Sequence, residues 1–244
     1  MASASTSSGG EAASGETGRG ALLLRWLTDE GALLDGIRIG PSALGGVGAF
    51  GRSKYRQGQR LFQIPQACVL TTTVASESYV GLAASAAADQ LSEDVTSDPR
   101  WLDGRVMLWL FVAIGRNDEH NAFYPYLQSL PAESPEPCCW RLSLRKELSN
   151  TSAGAAIEEA RAFVELVYRE LKPHLDGMLP SGCLESVDEL HWARGMCVSR
   201  SFPGILGAGA RSRRSRRARG VSGSRPLHHR RNCTWHLAPP TRTQ

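Results

Sequence analysis

Long apolar runs are missing from this 244-residue sequence. The longest uncharged apolar stretch is VMLWLFVAI at residues 106–114, well short of the roughly 20 residues that a membrane-spanning helix needs. The six cysteines form no CxxC pair and no Cys/His spacing that would close a tetrahedral zinc site. We therefore expect no transmembrane helix, no metal site and reduced cysteines.

Acidic residues are missing from the C-terminal segment, because residues 205–244 carry ten arginines and no aspartate or glutamate. Residues 1–204 hold 18 basic and 24 acidic side chains, so an acidic body with a net charge of −6 carries a basic tail. The run RSRRSRRAR at 211–219 would attract nucleic-acid phosphates or act as a nuclear import signal. We predict a disordered tail here; the alternative is a splice or reading-frame product with no selected role.

The first segment of the chain, residues 1–20, is rich in serine, alanine and glycine, which predicts a disordered leader. Glu11 and Glu16, and Arg25 just after the apolar residues 21–24, argue against a secretory signal. We expect a cytoplasmic or nuclear protein. A plastid transit peptide stays open as an alternative, although such peptides contain few acids.

The spacing of apolar residues changes along the chain. Residues 21–34 have helical spacing with Gly36 as a stop, and the pieces GIRIG, GVGAF, RLFQI and ACVLTT then predict short strands. After Thr73 the period becomes helical, with apolar stripes within 106–114 and 157–175. SLPAESPEPCC at 129–139 contains three prolines and predicts a loop, and a last helix is predicted over 186–199.

This order of elements sets the fold class. Strands followed by a long helical block are not a βαβ alternation, which excludes a doubly wound sheet and a TIM barrel. We predict an α+β fold in which a small-stranded region is interrupted by a large helical insertion. The predicted regions are a leader at 1–20, strands at 21–75, the helical insertion at 76–190, a second part of the stranded domain at 191–204, and the tail at 205–244.

Glycines cluster between the first two predicted strands, at Gly45, Gly46, Gly48 and Gly51. Glycine lets the backbone approach a ligand closely and tolerates positive φ. Most such clusters are ordinary tight turns, and this one does not match the G-x-G-x-x-G dinucleotide fingerprint. The cluster alone is weak evidence for a binding site.

Four segments in order carry a more specific signal. They are the strand at 37–39 with Gly46-Val47-Gly48 and the G-x-x-L-x-x-I-P string at 58–65, FYPYLQSLP at 123–131, CCWRLSLRKELSNTS at 138–152, and LHWARGMCVSRSF at 190–202. Together they resemble the SET-domain protein methyltransferases, specifically the Rubisco large-subunit methyltransferase-like branch. The resemblance covers residues 21–204 and implies that the chain contains an incomplete SET domain.

The resemblance implies S-adenosylmethionine as cofactor and a protein lysine as substrate. Gly46, Val47 and Gly48 would lie against the cofactor, Arg200 would bind its carboxylate and Phe202 would cover an apolar surface. For Arg200 the alternative is a surface cation at a helix C-terminus. The resemblance requires no metal, and we expect a monomer.

The sequence departs from the family after residue 204. The family has an Asn-His pair there and later a tyrosine that orients the amine, whereas this chain has no such pair and no tyrosine after Tyr168. We therefore assign no catalytic residue and predict low or no activity for a truncated domain. His191 is expected to be a packed or surface histidine and not a base. The alternative function is a non-catalytic adaptor whose basic tail binds nucleic acid through residues 211–219.

Overall fold

A computed structural model of the chain describes residues 9–43, 47–98, 101, 104–201 and 232–236. It divides into two compact units. The first, here called the strand unit, contains the described residues within 1–69 and 202–244; the second, the helical unit, comprises residues 70–201.

The strand unit begins with helix α1, Gly9–Asp29. A Schellman-type turn ends it, because the Ala32 amide donates to the Leu27 carbonyl at 2.8 Å and the Gly31 amide donates to the Thr28 carbonyl at 2.9 Å. Gly31 has a φ of 86°, which explains why the helix stops there and not near Gly36 as predicted. The helix also extends back into the segment for which composition predicts a disordered leader.

Three predicted strands are confirmed: β1 is Ile37–Pro41, β2 is Val47–Gly51 and β3 is Arg60–Pro65. Strands β1 and β2 pair antiparallel, with Ile37 opposite Gly51. The fourth predicted strand, ACVLTT at 67–72, is wrong, because Gln66–Cys68 forms a 3-10 turn. Thr71 instead caps the next helix, its hydroxyl accepting from the Val74 amide at 3.1 Å.

Strand β4, Asn232–His236, pairs antiparallel with β3. This segment lies inside the region where composition predicts a disordered tail. The physical reason for the difference is local: β3 presents backbone groups that need a partner, and the NCTWH segment contains the β-prone residues Thr234 and Trp235.

A close backbone approach links the loop before β1 to β3. A Cβ atom on Gly36 would lie 2.1 Å from the Leu61 carbonyl oxygen, so only glycine fits. The Gly36 carbonyl also accepts hydrogen bonds from the Tyr55 hydroxyl at 2.6 Å and from the Arg52 amide at 3.1 Å. Gly36 therefore contacts β3 through its Cα and binds Arg52 and Tyr55 through its carbonyl group.

The helical unit confirms the helical pattern predicted after Thr73. Its helices are α2 Thr72–Glu77, α3 Tyr79–Ala88, α4 Glu93–Thr96, α5 Arg105–Gly115, α6 Tyr124–Ser129, α7 Leu142–Lys146, α8 Ser152–Met178 and α9 Val187–Arg200. The predicted 129–139 loop is irregular up to a short 3-10 turn at Pro137–Cys139.

Helix α5 lies at the centre of this unit. The predicted stripe is buried at Val106, Leu110, Phe111 and Ile114, but Trp109 on another face is buried too. Helix α5 contacts α2, α3 and α9, so it is covered on several sides and its sequence needs apolar residues around most of its circumference.

Helix α8 is long and amphipathic. Its buried stripe is Phe163, Val164, Val167, Leu171 and Leu175, and its other face carries charged residues. The Thr151 hydroxyl caps its start by accepting from the Gly154 amide at 3.0 Å. Pro173 lies inside the helix and has no N–H to donate to the carbonyl four residues earlier.

Helix α9 confirms the last predicted helix. It starts with a capping box in which Ser186 and Glu189 satisfy each other's backbone amides. Leu190, Ala193 and Met196 are buried against the rest of the helical unit, and Arg200 ends the helix.

Candidate cofactor site

The glycine-rich turn before β2 is the first part of the site predicted from sequence. Gly46 lies outside the described residues, whereas Val47 and Gly48 form the start of β2. Gly48 lies opposite Gly40 of β1, and Val47 lies opposite Pro41. The space beside both glycines is already occupied, because the Phe50 ring and Arg38 Nη1 lie 3.3 Å from the positions that Cβ atoms would take at Gly48 and Gly40.

Space, and not an unusual φ, accounts for glycine at position 48. Gly48 is not among the glycines with positive φ, and a Cβ atom there would lie 3.3 Å from the Phe50 ring. The Arg38 guanidinium makes a cation–π contact with the Phe50 ring, 4.4 Å from the ring centroid. Val47 is 48% exposed, so its side chain is available for an apolar contact.

Arg200 is the second part of the predicted site. It is the last residue of α9 and is exposed, and its Nη1 donates to the Ser199 hydroxyl at 2.7 Å. The Ser199 hydroxyl in turn donates to the Gly195 carbonyl at 2.7 Å. A cation at this helix terminus is favoured by the macrodipole, and the guanidinium, which donates to Ser199, has further donors for an anionic group. Phe202 lies outside the described residues.

Tyr126 and Arg200 are close enough to interact electrostatically. The FYPYLQSLP segment therefore lies near the Ser-Arg end of α9. Burial raises the pKa of Tyr126, and Arg200 opposes that rise. Burial also raises the pKa of Cys197 to about 12, again opposed by Arg200. Both groups are therefore uncharged near neutral pH, and Arg200 is the charge that acts on them. The sequence analysis assigned no role to Tyr126 and missed this proximity.

The predicted cofactor contacts are divided between the two units. Val47 and Gly48 belong to the strand unit and Arg200 to the helical unit. Their joint role stays a prediction.

His191 is buried in the helical unit, with 2% of its surface exposed. Within the described residues neither ring nitrogen has a hydrogen-bond partner, and Glu165 Oε1 lies 3.7 Å from Nε2. Burial, and secondarily the Arg161 guanidinium, lower the pKa of His191 to about 4. It is neutral at physiological pH. The expectation of a packed histidine is thus met at the level of burial, but its unpaired nitrogens were not foreseen.

Metal ligands and membrane spans were searched in the residues that the structure describes. No group of three or more His, Cys, Asp or Glu side chains is placed to hold a metal ion in that part of the chain. None of the helices formed by those residues combines the length and apolarity that crossing a bilayer takes.

In chain order, short antiparallel strands are followed by a large helical block and a helix that ends in Ser-Arg. No protein-family model and no curated protein sequence matches the chain. Solved structures do. The SET domain of LSMT bound to lysine and AdoHcy matches with a TM-score of 0.61 and 18% identity, over 76% of this chain and 40% of that one.

Two further structures agree. Rubisco LSMT bound to sinefungin and monomethyllysine matches with a TM-score of 0.60 and 18% identity over 75% of this chain and 41% of that one. Rubisco LSMT bound to AdoMet matches with a TM-score of 0.61 and 18% identity over 76% and 41%. The chain spans about two fifths of the length of these structures. The predicted α+β fold and the resemblance drawn from the four segments are confirmed as a shared SET-domain fold.

Proposed function

We propose that this chain is an S-adenosylmethionine-dependent protein-lysine N-methyltransferase of the SET type, with low or no activity as it stands. The observation that carries the proposal is the shared fold over 76% of the chain with the SET domain of LSMT, which binds lysine and AdoHcy in the solved structure. The four sequence segments supply the residue-level support.

The described residues fit the cofactor chemically. Val47, at the start of β2, offers an exposed apolar contact. Arg200 presents a guanidinium suited to a carboxylate. We propose Gly46, Val47, Gly48, Arg200 and Phe202 as the cofactor contacts.

The cofactor, when bound, supplies a methyl group on a sulfonium, and the new C–N bond forms as the C–S bond breaks. The substrate lysine has an ordinary pKa of about 10.4, so its amine must lose a proton before it attacks. Positioning the neutral amine in line is then the main catalytic task. The family performs it with an Asn-His pair and a later tyrosine, and the residues after Phe202 contain neither. This is why we propose low or no activity.

Calorimetry with S-adenosylmethionine on the full chain tests the proposal. We expect weak, saturable binding that Arg200→Ala abolishes, because a charge-assisted contact is lost. Arg169→Ala is the matched control, since Arg169 is an exposed helical arginine paired with Glu170, and it should bind like the parent. Absence of saturable binding, or equal affinities for parent and Arg200→Ala, would count against the cofactor site.

Tritiated methyl transfer to a protein mixture tests the activity separately. We expect little or no label, and any label should be on lysine. Strong transfer would disprove low activity while supporting the reaction, and transfer to another residue type would disprove the reaction class.

A second candidate function rests on the ten arginines of the basic tail, which favour a nucleic-acid-binding adaptor. If the run at 211–219 contacts about six phosphates, RNA affinity should fall roughly 10³-fold between 50 and 200 mM salt. Filter binding measures this, with a chain ending at residue 204 as control. A flat salt response would exclude the adaptor.

A further inference from the structure

Charge is divided unevenly between the two units of the chain. Residues 70–201, the helical unit, carry 19 acidic and 11 basic side chains, a net charge of −8. Residues 36–69 carry five basic side chains and no aspartate or glutamate. Four of those five lie within residues 52–60, which lead from β2 to the first residue of β3. This segment is here called the basic turn, and its cations are Arg52, Lys54, Arg56 and Arg60.

Hydrogen bonds give the basic turn a defined shape. The Tyr55 hydroxyl donates to the Gly36 carbonyl at 2.6 Å, which fastens the middle of the turn to the loop before β1. The Gln59 side-chain carbonyl accepts from the Arg56 amide at 3.1 Å, and the Gln59 amide donates to the Arg56 carbonyl at 3.0 Å. Gly58 adopts the positive φ of 81° that this reversal needs. Since the backbone is already ordered, a partner pays little entropy for ordering it.

The cations of the basic turn face solvent. Every residue of the turn is exposed except Tyr55, which is half-buried. Among the described residues, no carboxylate pairs with any of the four cations. The side chains of Lys54 and Arg56 also make no hydrogen bond within that part of the chain. Their charges are therefore uncompensated and open to an anionic partner.

The chemistry of this surface selects the class of partner. No exposed large apolar side chain lies in the basic turn, whereas protein interfaces have apolar and aromatic centres that are depleted of charge. Stable membrane attachment also needs an apolar anchor in addition to basic residues. Interfaces with nucleic acids are more polar and much more positively charged. Ser53 and Gln57 add uncharged polar groups of the kind that contact phosphates and sugars.

The absence of a stacking surface distinguishes between forms of nucleic acid. Proteins that bind single strands combine positive charge with aromatic side chains on which the bases stack. Among the described side chains of the strand unit, no aromatic ring is exposed, and the Phe50 ring is already in contact with the Arg38 guanidinium. Double-helical DNA presents one negative charge per roughly 1.7 Å of its axis, so it suits a site that offers charge and polar donors alone.

We propose that the basic turn binds the phosphate backbone of double-helical DNA, independently of base sequence, with Lys54 and Arg56 as the contacts. The inference is independent of the methyl-transfer proposal, because it uses none of the cofactor contacts. It is also separate from the second candidate function, because the basic turn lies outside residues 211–219.

Lysine footprinting of the full chain tests the inference directly. The chain has three lysines, Lys54, Lys146 and Lys172, and Lys146 on α7 is exposed like Lys54. The chain is acetylated with and without a short mixed-sequence DNA duplex at low salt, and mass spectrometry reads each lysine. DNA should lower acetylation of Lys54 about threefold or more and leave Lys146 unchanged, and high salt should reverse the protection. Bound DNA without protection of Lys54 overturns the inference.

Paired variants measure the contribution of the basic turn to affinity. Lys54→Gln combined with Arg56→Gln should lower the slope of log affinity against log salt by about 1.8, because two phosphate contacts are lost. The parent should therefore lose about tenfold more affinity than this variant between 50 and 200 mM salt. Lys146→Gln combined with Arg169→Gln removes the same charge from exposed positions of the helical unit and should keep the parent slope. An equal change in both double variants overturns the inference, because net charge alone would then explain the binding.

A full-length chain with glutamine in place of the six arginines of residues 211–219 separates this site from the basic tail. Protection of Lys54 by DNA should persist in it, and loss of that protection overturns the inference. If the protection persists while RNA binding loses its salt dependence, the basic turn and the tail are separate sites. Stronger protection of Lys54 by a single strand of the same length, by phosphatidylserine vesicles or by polyglutamate than by the duplex also overturns the inference.

Discussion

The strand unit and the helical unit are stabilised in different ways. Among the residues whose side chains the structure describes, the strand unit buries one apolar side chain, Ala32, which is still 7% exposed, whereas the helical unit buries an extended core around α5 and α8. The strands β1 and β2 are exposed or half-exposed along their length. Apolar burial therefore stabilises the helical unit, while close backbone contacts and pairing hydrogen bonds hold the strand unit. Four substitutions or conditions test this contrast, in order of decreasing expected effect.

The largest contrast is expected between Leu110→Ala in α5 and Ile39→Ala in β1. Leu110 is fully buried, so its truncation should cost about 2–5 kcal/mol of unfolding free energy through lost burial and a cavity. Ile39 is half-exposed, and its truncation should cost about 1 kcal/mol. Urea unfolding with segment-resolved hydrogen exchange measures both. Equal costs would show that the strand unit contains a core of comparable quality.

The second effect is acid sensitivity confined to the helical unit. The pKa of His191 is lowered from 6.5 to about 4 by burial and by Arg161, against Glu165 and Asp188, which raise it. The unfolded chain therefore binds more protons between these values. The contribution of the neutral His191 to the free energy of unfolding is fully present above pH 6.5. It is lost as the pH drops towards 4, by up to about 3 kcal/mol.

His191→Phe should flatten this part of the pH profile, measured by urea unfolding across the same range, and His174→Phe should not. Residues 1–69 contain no histidine, so exchange from the β1–β2 hairpin, which lies within them, should show no matching step. A parallel step in both units would contradict the assignment to His191.

The third effect is a loss of unfolding free energy in the strand unit that does not come from lost apolar burial. Gly36→Ala would place a Cβ atom 2.1 Å from the Leu61 carbonyl oxygen, and the forced backbone shift should cost about 2 kcal/mol. Gly18→Ala is the control, because no atom lies within 4 Å of the added Cβ. Gly31→Ala is unsuitable because Gly31 has a positive φ. Loss of exchange protection at β3 but not at α5 is the expected signature. A variant as stable as the parent would show that the junction is not needed.

The smallest effect is expected at the surface of the β1–β2 hairpin. Arg38→Ala removes the guanidinium 4.4 Å from the Phe50 ring centroid, a contact worth about 0.5–1 kcal/mol at an exposed site. Arg38→Lys should retain part of it. Thermal unfolding of both variants measures the loss, and a loss above that of Gly36→Ala would reverse the order proposed for the strand unit.

Local signals explain how much of the fold could be predicted. The short strands follow from glycine and proline at their ends, and α9 follows from the Ser186 and Glu189 capping pair at the start of an apolar pattern. Strand β4 could not be predicted, because its pairing joins residues 60–65 to residues 232–236 and depends on an open edge of β3. The end of α1 was misplaced because Gly31, and not Gly36, adopts the positive φ that terminates it.

The sites were less predictable than the fold. Gly48 and Arg200 could be proposed only through resemblance, since a glycine turn and a helix-terminal arginine have common structural explanations. The burial of His191 arises from α8 and the loop at 138–140, which are distant in sequence. The proximity of Tyr126 to Arg200 depends on packing that no local spacing encodes.

Pro173 gives α8 a property that its burial pattern does not reveal. Since proline has no N–H, the carbonyl of Arg169 one turn earlier lacks its intrahelical donor, and Arg169 itself lies on the solvent side of the helix. Water can bond to that oxygen while the neighbouring carbonyls stay engaged. A single ¹³C=¹⁸O label at Arg169 should therefore give an infrared amide band resolved from the rest of the helix, and the position of that band would register the hydration of one chosen peptide group.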